Sequence, residues 1–192
     1  LDLCAAPGGK TAQIAHAGAD VVALDVSASR LRRLTGNLDR LGLKAQTHVG
    51  SACDFDPEQL FDAVLVDAPC SSTGTIRRHP DVAWTKTPAD VTKLAKLQFD
   101  LLSKAASFVK AGGTLVFSNC SLLEEEGEAL AGRALDEIPS LKLSPVNPNE
   151  LPQMAGLIAP EGWIRTTPAD FSTDRPQTSG MDGFFAVRFS VV

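Results

Sequence analysis

Short apolar runs alternate with amphipathic stretches along the chain, the rhythm of a parallel sheet covered by helices. Leu1 to Cys4 reads as the end of a first strand, Val21 to Leu24 as a second, and Gln46 to Val49 as a weaker third. Ala63-Val64-Leu65-Val66 is apolar on both alternating faces, which a strand tolerates only where helices cover both sides of the sheet, so it is predicted to be central. Thr114 to Phe117, announced by Gly112-Gly113, is a fifth strand, and Phe184 to Phe189 a late one. Between them Ser27 caps a helix running to about Leu41, with Gly42 as its stop. Thr87-Pro88-Ala89-Asp90 opens a helix predicted to reach about Lys110, whose Leu94, Leu97, Leu101, Ala105 and Phe108 form one apolar face. Ser121-Leu122-Leu123-Glu124 resembles a capping box, which predicts a helix start immediately after Cys120. Ile138 to Asp182 reads as loops with one or two short strands, among them a Thr/Ser/Asp/Pro-rich loop at Thr166 to Ser179.

This is the pattern of one doubly wound α/β domain, and 192 residues suffice for one such domain and not for two. Since the chain opens at Leu1 without a Met, apparently inside a strand, it is expected to be a fragment of a longer protein. With 18 Lys+Arg against 23 Asp+Glu the net charge is -5, so there is no domain-wide basic field to grip nucleic acid unaided. No apolar run approaches the ~20 residues of a membrane helix, and a soluble, cytoplasmic monomer without membrane contact is expected. The four cysteines, Cys4, Cys53, Cys70 and Cys120, are read as reduced. His16, His48 and His79 stand singly and no Cys-x-x-Cys occurs, so no metal site is expected.

In a doubly wound sheet, ligands bind outside the carboxyl ends of the strands. There Cys4-Ala5-Ala6-Pro7-Gly8-Gly9-Lys10-Thr11 makes a small-residue turn into a helix, letting main chain approach a ligand and aiming free amides at it. A Walker loop needs glycine where Cys4 stands, and the dinucleotide fingerprint Gly-x-Gly-x-x-Gly is missing. The turn of S-adenosyl-L-methionine enzymes remains, with Asp25, closing the second strand, placed to accept the ribose hydroxyls.

Asp67-Ala68-Pro69-Cys70 follows the fourth strand and Asn119-Cys120-Ser121 the fifth, so two thiols are expected to face one cavity. Carbon 5 of cytosine is too weak a nucleophile to accept a methyl group until a thiolate adds to carbon 6, and the carbon-5 proton must then leave. Two thiols beside a cofactor turn suit that chemistry, with Asp67 placed to bond the cytosine amino group and ring nitrogen. A position just before a helix would make Cys120 the more acidic thiol. Cys4 and Cys53 are read mainly as core filling.

Leu1 to Thr11, Asp67-Ala68-Pro69-Cys70-Ser71, Arg77-Arg78-His79-Pro80-Asp81 with Trp84, Cys120-Ser121-Leu122 with Glu124 to Glu126, and Asp182-Gly183-Phe184-Phe185 together resemble the Sun-type RNA (cytosine-5)-methyltransferases. The resemblance is nearest to the bacterial RsmB branch, which acts on small-subunit ribosomal RNA, and covers almost the whole chain. It implies a Rossmann-like class I methyltransferase sheet of seven mostly parallel strands with one antiparallel strand. It also implies that Cys120 is the nucleophile, that Cys70 assists release, and that Asp67 touches substrate and cofactor. Cys4, Ala5, Ala6, Pro7, Gly8, Gly9, Lys10 and Asp25 would bind S-adenosyl-L-methionine.

Two positions depart from that pattern: Ser51 stands where relatives usually carry an acid, and is kept as a cofactor contact, and Asn119 stands where they commonly have Thr. The resemblance also implies an N-terminal RNA-recognition portion in relatives, which is expected to lie outside this stretch of sequence. Of the clustered cations, Arg77-Arg78-His79 is expected to reach RNA phosphates. Arg30, Arg32, Arg33 and Arg40 are expected on a solvated helix face, and Trp84 and Trp163 as buried anchors. Three alternatives stay open: a weak cofactor- or RNA-binding module in ribosome assembly, a tRNA cytosine-5 methyltransferase, and a DNA enzyme using Cys70 as nucleophile.

Overall fold

A computed structural model describes residues 1–175 and 179–192; part of the predicted Thr166 to Ser179 loop lies outside the described residues. Strands β1 (Asp2–Leu3), β2 (Val22–Asp25), β3 (Gln46–Val49), β4 (Phe61–Asp67), β5 (Val109–Asn119), β6 (Leu141–Leu143), β7 (Ile164–Thr166) and β8 (Phe184–Val191) form one sheet in the order β3-β2-β1-β4-β5-β8-β6. β7 also pairs with β8, so β6 and β7 share its outer edge. The ladders from β3 to β5 are parallel, and β8 is the antiparallel strand, pairing with β5 from Thr114–Ser190 to Asn119–Phe185. Reversal of strand order at β1 and β4 opens a crevice at their carboxyl ends. No described helix is long and apolar enough to cross a membrane.

The helices are α1 (Gly9–His16), α2 (Ala28–Leu41), α3 (Val82–Thr85), α4 (Pro88–Ala106) and α5 (Glu128–Glu137). α2 is bounded as its sequence predicts: Ser27 Oγ accepts from the Arg30 amide, and Gly42 ends it in the left-handed region at φ 67°. Its Leu31, Leu34 and Leu38 bury one stripe against Ala5 and Ala23. α4 opens with the Thr87–Asp90 capping box but stops at Ala106, short of the predicted Lys110. Phe108 carbonyl instead accepts from the Phe61 amide, so Phe108, in the turn after α4, and Val109, the first residue of β5, enter the core rather than forming a last helical turn. The chain then loops through Gly112 (φ 78°) and resumes the ladder at Thr114.

β4 is central, between β1 and β5, yet the expected cover on both its faces is incomplete. Val64 and Val66 are buried, while Ala63 is exposed and Leu65 half-buried. Those two residues and Ile14, Val21 and Val116 line a shallow apolar groove. Alternation in β8 is regular, with Phe185, Val187, Phe189 and Val191 facing the main core.

Candidate active site

Asp67 and Ser118 are register partners at the ends of β4 and β5, so the chain leaves both strands side by side. Cys70 and Cys120 follow within three residues, and their Sγ atoms stand 3.4 Å apart. Main chain fixes the two loops: the Gly74 amide donates to Cys120 carbonyl at 2.9 Å, and the Gly183 amide to Gly74 carbonyl at 2.8 Å. A Cβ on Gly74 would lie 2.0 Å from Gly183 O, so only glycine fits between the segments.

Behind the sulfurs lies a buried polar network. The Glu126 carboxylate, fully buried, accepts from the Ser71 amide (2.9 Å), from Ser71 Oγ and from Gln98 Nε2 (2.8 Å). Gln98 Nε2 also donates to Pro69 carbonyl, and Asn119 Nδ2 donates to the main-chain carbonyl of Glu126. Asn119 Oδ1 accepts from the Ser121 amide, so this residue orders the turn carrying the Cys120 sulfur. Arg165 grips the same turn from outside, donating to Ser121 carbonyl while it pairs with Glu128.

The predicted helix after Cys120 is displaced. Ser121 Oγ accepts from the Leu123 amide instead of capping Glu124; a short 3-10 turn (Glu124–Glu126) follows, and α5 starts only at Glu128. Cys120 therefore does not sit at an α-helix N-terminus, and its acidity has another cause. The Cys70 S–H donates to it, and Ser72 Oγ lies 3.7 Å from its sulfur; against burial and the charge of Asp67, these draw the Cys120 thiol down to about 6. The same Cys120 contact, reinforced by burial, pushes the Cys70 thiol up.

Asp67 is shared between two donors, Lys10 Nζ at 2.7 Å and Ser118 Oγ at 3.0 Å. Lys10 also lies over the Phe184 ring, 5.2 Å from its centroid. Asp25 is buried and holds the first turn in place: Oδ2 accepts from the Ala6 amide and forms an ion pair with Arg30, and Oδ1 accepts from the Ser27 amide. Arg30 thus departs from the expected solvated face; its guanidinium spans Asp25 and Ala6 carbonyl.

One cavity of about 380 Å³ runs along this edge, large enough for a small-molecule cofactor. Cys4, Ala6, Asp25, Ser51, Asp67, Cys70 and Cys120 all line it, and Val26, Ala52, Leu97 and Leu101 supply apolar wall. The rest of the predicted turn does other work. Ala5 packs on Leu34; Pro7 carbonyl accepts from Asn37; Gly8, at φ 99°, leaves room for Leu34; and Gly9 begins α1. The amides of Ala5, Ala6 and Gly8 are spent on Leu24, Asp25 and Ala5, so they are not free for a ligand as expected.

Two further expectations change. Cys53 is exposed at the cavity wall rather than core filling, whereas Cys4 packs partly on the core, where burial pushes its thiol up to about 12. Trp84 is 90% exposed on α3, not a buried anchor, while Trp163 packs on Phe185. Arg77 and Arg78 both turn to Asp182, fastening the segment before β8. Glu124 to Glu126 entered the sequence reading only as part of a motif, and the buried roles of Glu126 and Gln98 were missed: three consecutive glutamates look like a solvated run, and only a polar Gln98 on the apolar side of α4 signalled a buried partner.

A sequence profile described as 16S rRNA methyltransferase RsmB/F matches residues 1–190. Ribosomal RNA small subunit methyltransferase B of Salmonella arizonae is 46% identical over 165 residues, covering 82% of this chain and 38% of the relative. The chain therefore spans well under half of that relative's length. The crystal structure of PH0851 superposes with a TM-score of 0.82 at 32% identity, covering 98% of this chain and 42% of the other. NSun6 from Pyrococcus horikoshii with SFG gives a TM-score of 0.79 at 27% identity over 100% of this chain and 47% of the other. The sheet is thus the Rossmann-like methyltransferase sheet, and the chain belongs to the RsmB/F family of 16S rRNA methyltransferases, a family dependent on S-adenosyl-L-methionine.

Proposed function

We propose that this chain is the catalytic domain of an enzyme that methylates carbon 5 of a cytosine in small-subunit ribosomal RNA through a covalent Cys120 adduct. The observation that carries the reading is the 3.4 Å approach of Cys70 and Cys120 Sγ in a cavity that also holds Asp67 and Asp25.

S-adenosyl-L-methionine fits the residues present: a buried acid at one end of the cavity, Asp25, an apolar slot between Val26, Ala52 and Leu101, and polar Ser51 at its edge. Bound there, it would supply an electrophilic methyl group. The chain's own residues do the rest. Cys120, ionised at neutral pH, adds its sulfur lone pair to carbon 6 of the cytosine, and the ring electrons move to carbon 5, which becomes the nucleophile. Asp67, its charge balanced by Lys10, orients the base by accepting from the exocyclic amino group.

Cys70 has the opposite task. While Cys120 is a thiolate, its negative charge keeps Cys70 protonated. Once the Cys120 sulfur is bonded to carbon 6 that charge is gone; Cys70 then ionises, its proton passing to solvent, and takes the proton from carbon 5. The electron pair of the C5–H bond re-forms the double bond and expels the Cys120 thiolate, closing the cycle.

The test uses the full-length protein, labelled cofactor and unmodified ribosomal RNA. Cys120→Ser is expected to abolish both methyl incorporation and adduct, and Cys70→Ser to accumulate RNA covalently bound to protein. The opposite pattern would assign the nucleophile to Cys70, and absence of incorporation by the native protein would make it a binding module.

A further inference from the structure

We propose that Ser72 is a catalytic residue of this site, its hydroxyl donating to the Cys120 thiolate, and that the left-handed backbone at Ser72 is what aims it there. The proposal deepens the reading of Cys120 as nucleophile and rests on it.

Three observations meet at this residue. Ser72 has φ 61° and ψ 19°, a conformation that is costly for any side chain and natural to glycine. Its surroundings impose it from both sides: Ser72 carbonyl accepts from the Thr75 amide (2.9 Å) and from Thr75 Oγ1 (2.8 Å), and the preceding Ser71 is locked to Glu126. In that position its Oγ lies 3.7 Å from Cys120 Sγ and accepts from the Cys120 thiol; once that proton is lost the pair can only reverse, the hydroxyl donating to the thiolate, and among the described residues Ser72 Oγ meets no other hydrogen-bonding partner. Ser72 also lines the cavity shared by both thiols.

The chemistry favours such a donor. Burial and the Asp67 carboxylate oppose ionisation of Cys120; among the described residues the cationic side chain lining the cavity is Arg30, at the Asp25 end, while Arg78, paired with Asp182, acts on the sulfur only through its charge. Neutral donors converge on the sulfur instead: the Cys70 thiol, the Ser72 hydroxyl and the main-chain amide of Cys120 itself. A hydroxyl stabilises the thiolate without adding charge, and its hold weakens as the sulfur lone pair is drawn into the C–S bond, so it does not trap the nucleophile. Cys70 changes protonation during the proposed cycle; Ser72 does not, and remains the constant donor for both attack and departure of Cys120.

The experiment reads thiol ionisation directly and requires neither RNA nor cofactor, so it is separable from the methyltransferase assay. Full-length native protein and the Ser72→Gly and Ser72→Ala variants are alkylated with iodoacetamide from pH 5 to 9, and modification of the Cys120 peptide is followed by mass spectrometry. Native protein is expected to show a midpoint near pH 6. Both variants are expected to shift it upward by about one unit, a roughly fivefold slower reaction at pH 6. Ser72→Gly relieves the backbone and is expected to melt at or above the native temperature, which separates loss of the hydroxyl from loss of structure. A Cys120 profile unchanged in either variant would overturn the proposal, because the two share only the missing hydroxyl; if Ser72→Ala does not fold, the glycine variant alone decides.

Discussion

Glu126 accepts from the amide and hydroxyl of Ser71 across 55 positions of sequence, joining the loop behind Cys70 to the segment behind Cys120. The carboxylate is fully buried, and its described partners, Ser71 and Gln98, are neutral donors. A carboxyl group buried this way costs desolvation but fixes geometry, since each oxygen is met by a directional bond. The separation of the two sulfurs is set by this network, with each loop too short to drift once Ser71 and Asn119 are bonded.

Glu126→Ala should therefore destabilise the fold by about 1–3 kcal/mol for each buried donor left unpaired, the Ser71 amide and Gln98 Nε2 being the two at risk. Glu126→Gln keeps the volume but turns an amide NH₂ toward donors, and should fall between native and alanine. Urea unfolding measures both. An alanine variant within about 0.5 kcal/mol of native would show that the network is not structural.

Cysteine reactivity gives the pH dependence its sign. The reactive form of Cys120 is the thiolate and its folded pKa is lowered to about 6, so kcat/KM should be full above that value and fall as pH drops through it. The Cys70 S–H is the largest cause of the lowering. In Cys70→Ala the midpoint for adduct formation should move upward, toward that of an ordinary thiol, whereas Cys70→Ser retains an O–H donor and should stay closer to native. An alanine midpoint at or below the native one would remove Cys70 from the ionisation of Cys120.

The sheet was legible because its strands are short apolar runs and its helices carry their own signals, Ser27 with Gly42 and Thr87 with Asp90. Convergence of Cys70 and Cys120 was legible as well, since adjacent parallel strands deliver their carboxyl ends to one edge. What misled was local likeness without its tertiary partner. Ser121 has the residues of a capping box, yet its hydroxyl is taken by the Leu123 amide and Ser71, so the helix starts later. Phe108 continues the helical period of α4, yet an amide from β4 claims its carbonyl. Arg30 is one of several arginines on a polar helix face, and only the return of the Asp25 strand end beside it makes it a site residue.

Asp25 offers a test of the cofactor end. Its two oxygens hold the Ala6 amide (3.2 Å) and the Ser27 amide (2.9 Å), so Asp25→Ala removes the proposed cofactor contact and unlatches the turn that shapes the cavity. Calorimetric titration with S-adenosyl-L-methionine should show at least about tenfold weaker binding, the effect of one charge-assisted bond. Arg30→Ala should weaken it less, because the guanidinium is half-exposed and its pair with Asp25 is screened by solvent. Equal effects of the two substitutions would mean that Asp25 acts only by binding Arg30.

Gly74 is the mechanical joint between the three segments of the site. It donates to Cys120 carbonyl and accepts from the Gly183 amide, and an added Cβ would meet Gly183 O at 2.0 Å and Cys120 O at 2.8 Å. Both obstacles are backbone atoms, which no rotamer change can move. Gly74→Ala should therefore push Asp182-Gly183 away from the Cys120 turn, releasing Asp182 from Arg78 and costing about 1–3 kcal/mol, the usual penalty for forcing extra volume into packed structure. The consequence that distinguishes this from general destabilisation lies at the thiols: with Cys120 carbonyl displaced, its sulfur should lose register with Cys70 and Ser72, and the alkylation midpoint of Cys120 should rise even at temperatures where the variant is fully folded. Circular dichroism establishes the folded range and peptide-resolved alkylation the midpoint. A folded variant with a native midpoint would show that the sulfur is held by its side-chain contacts alone.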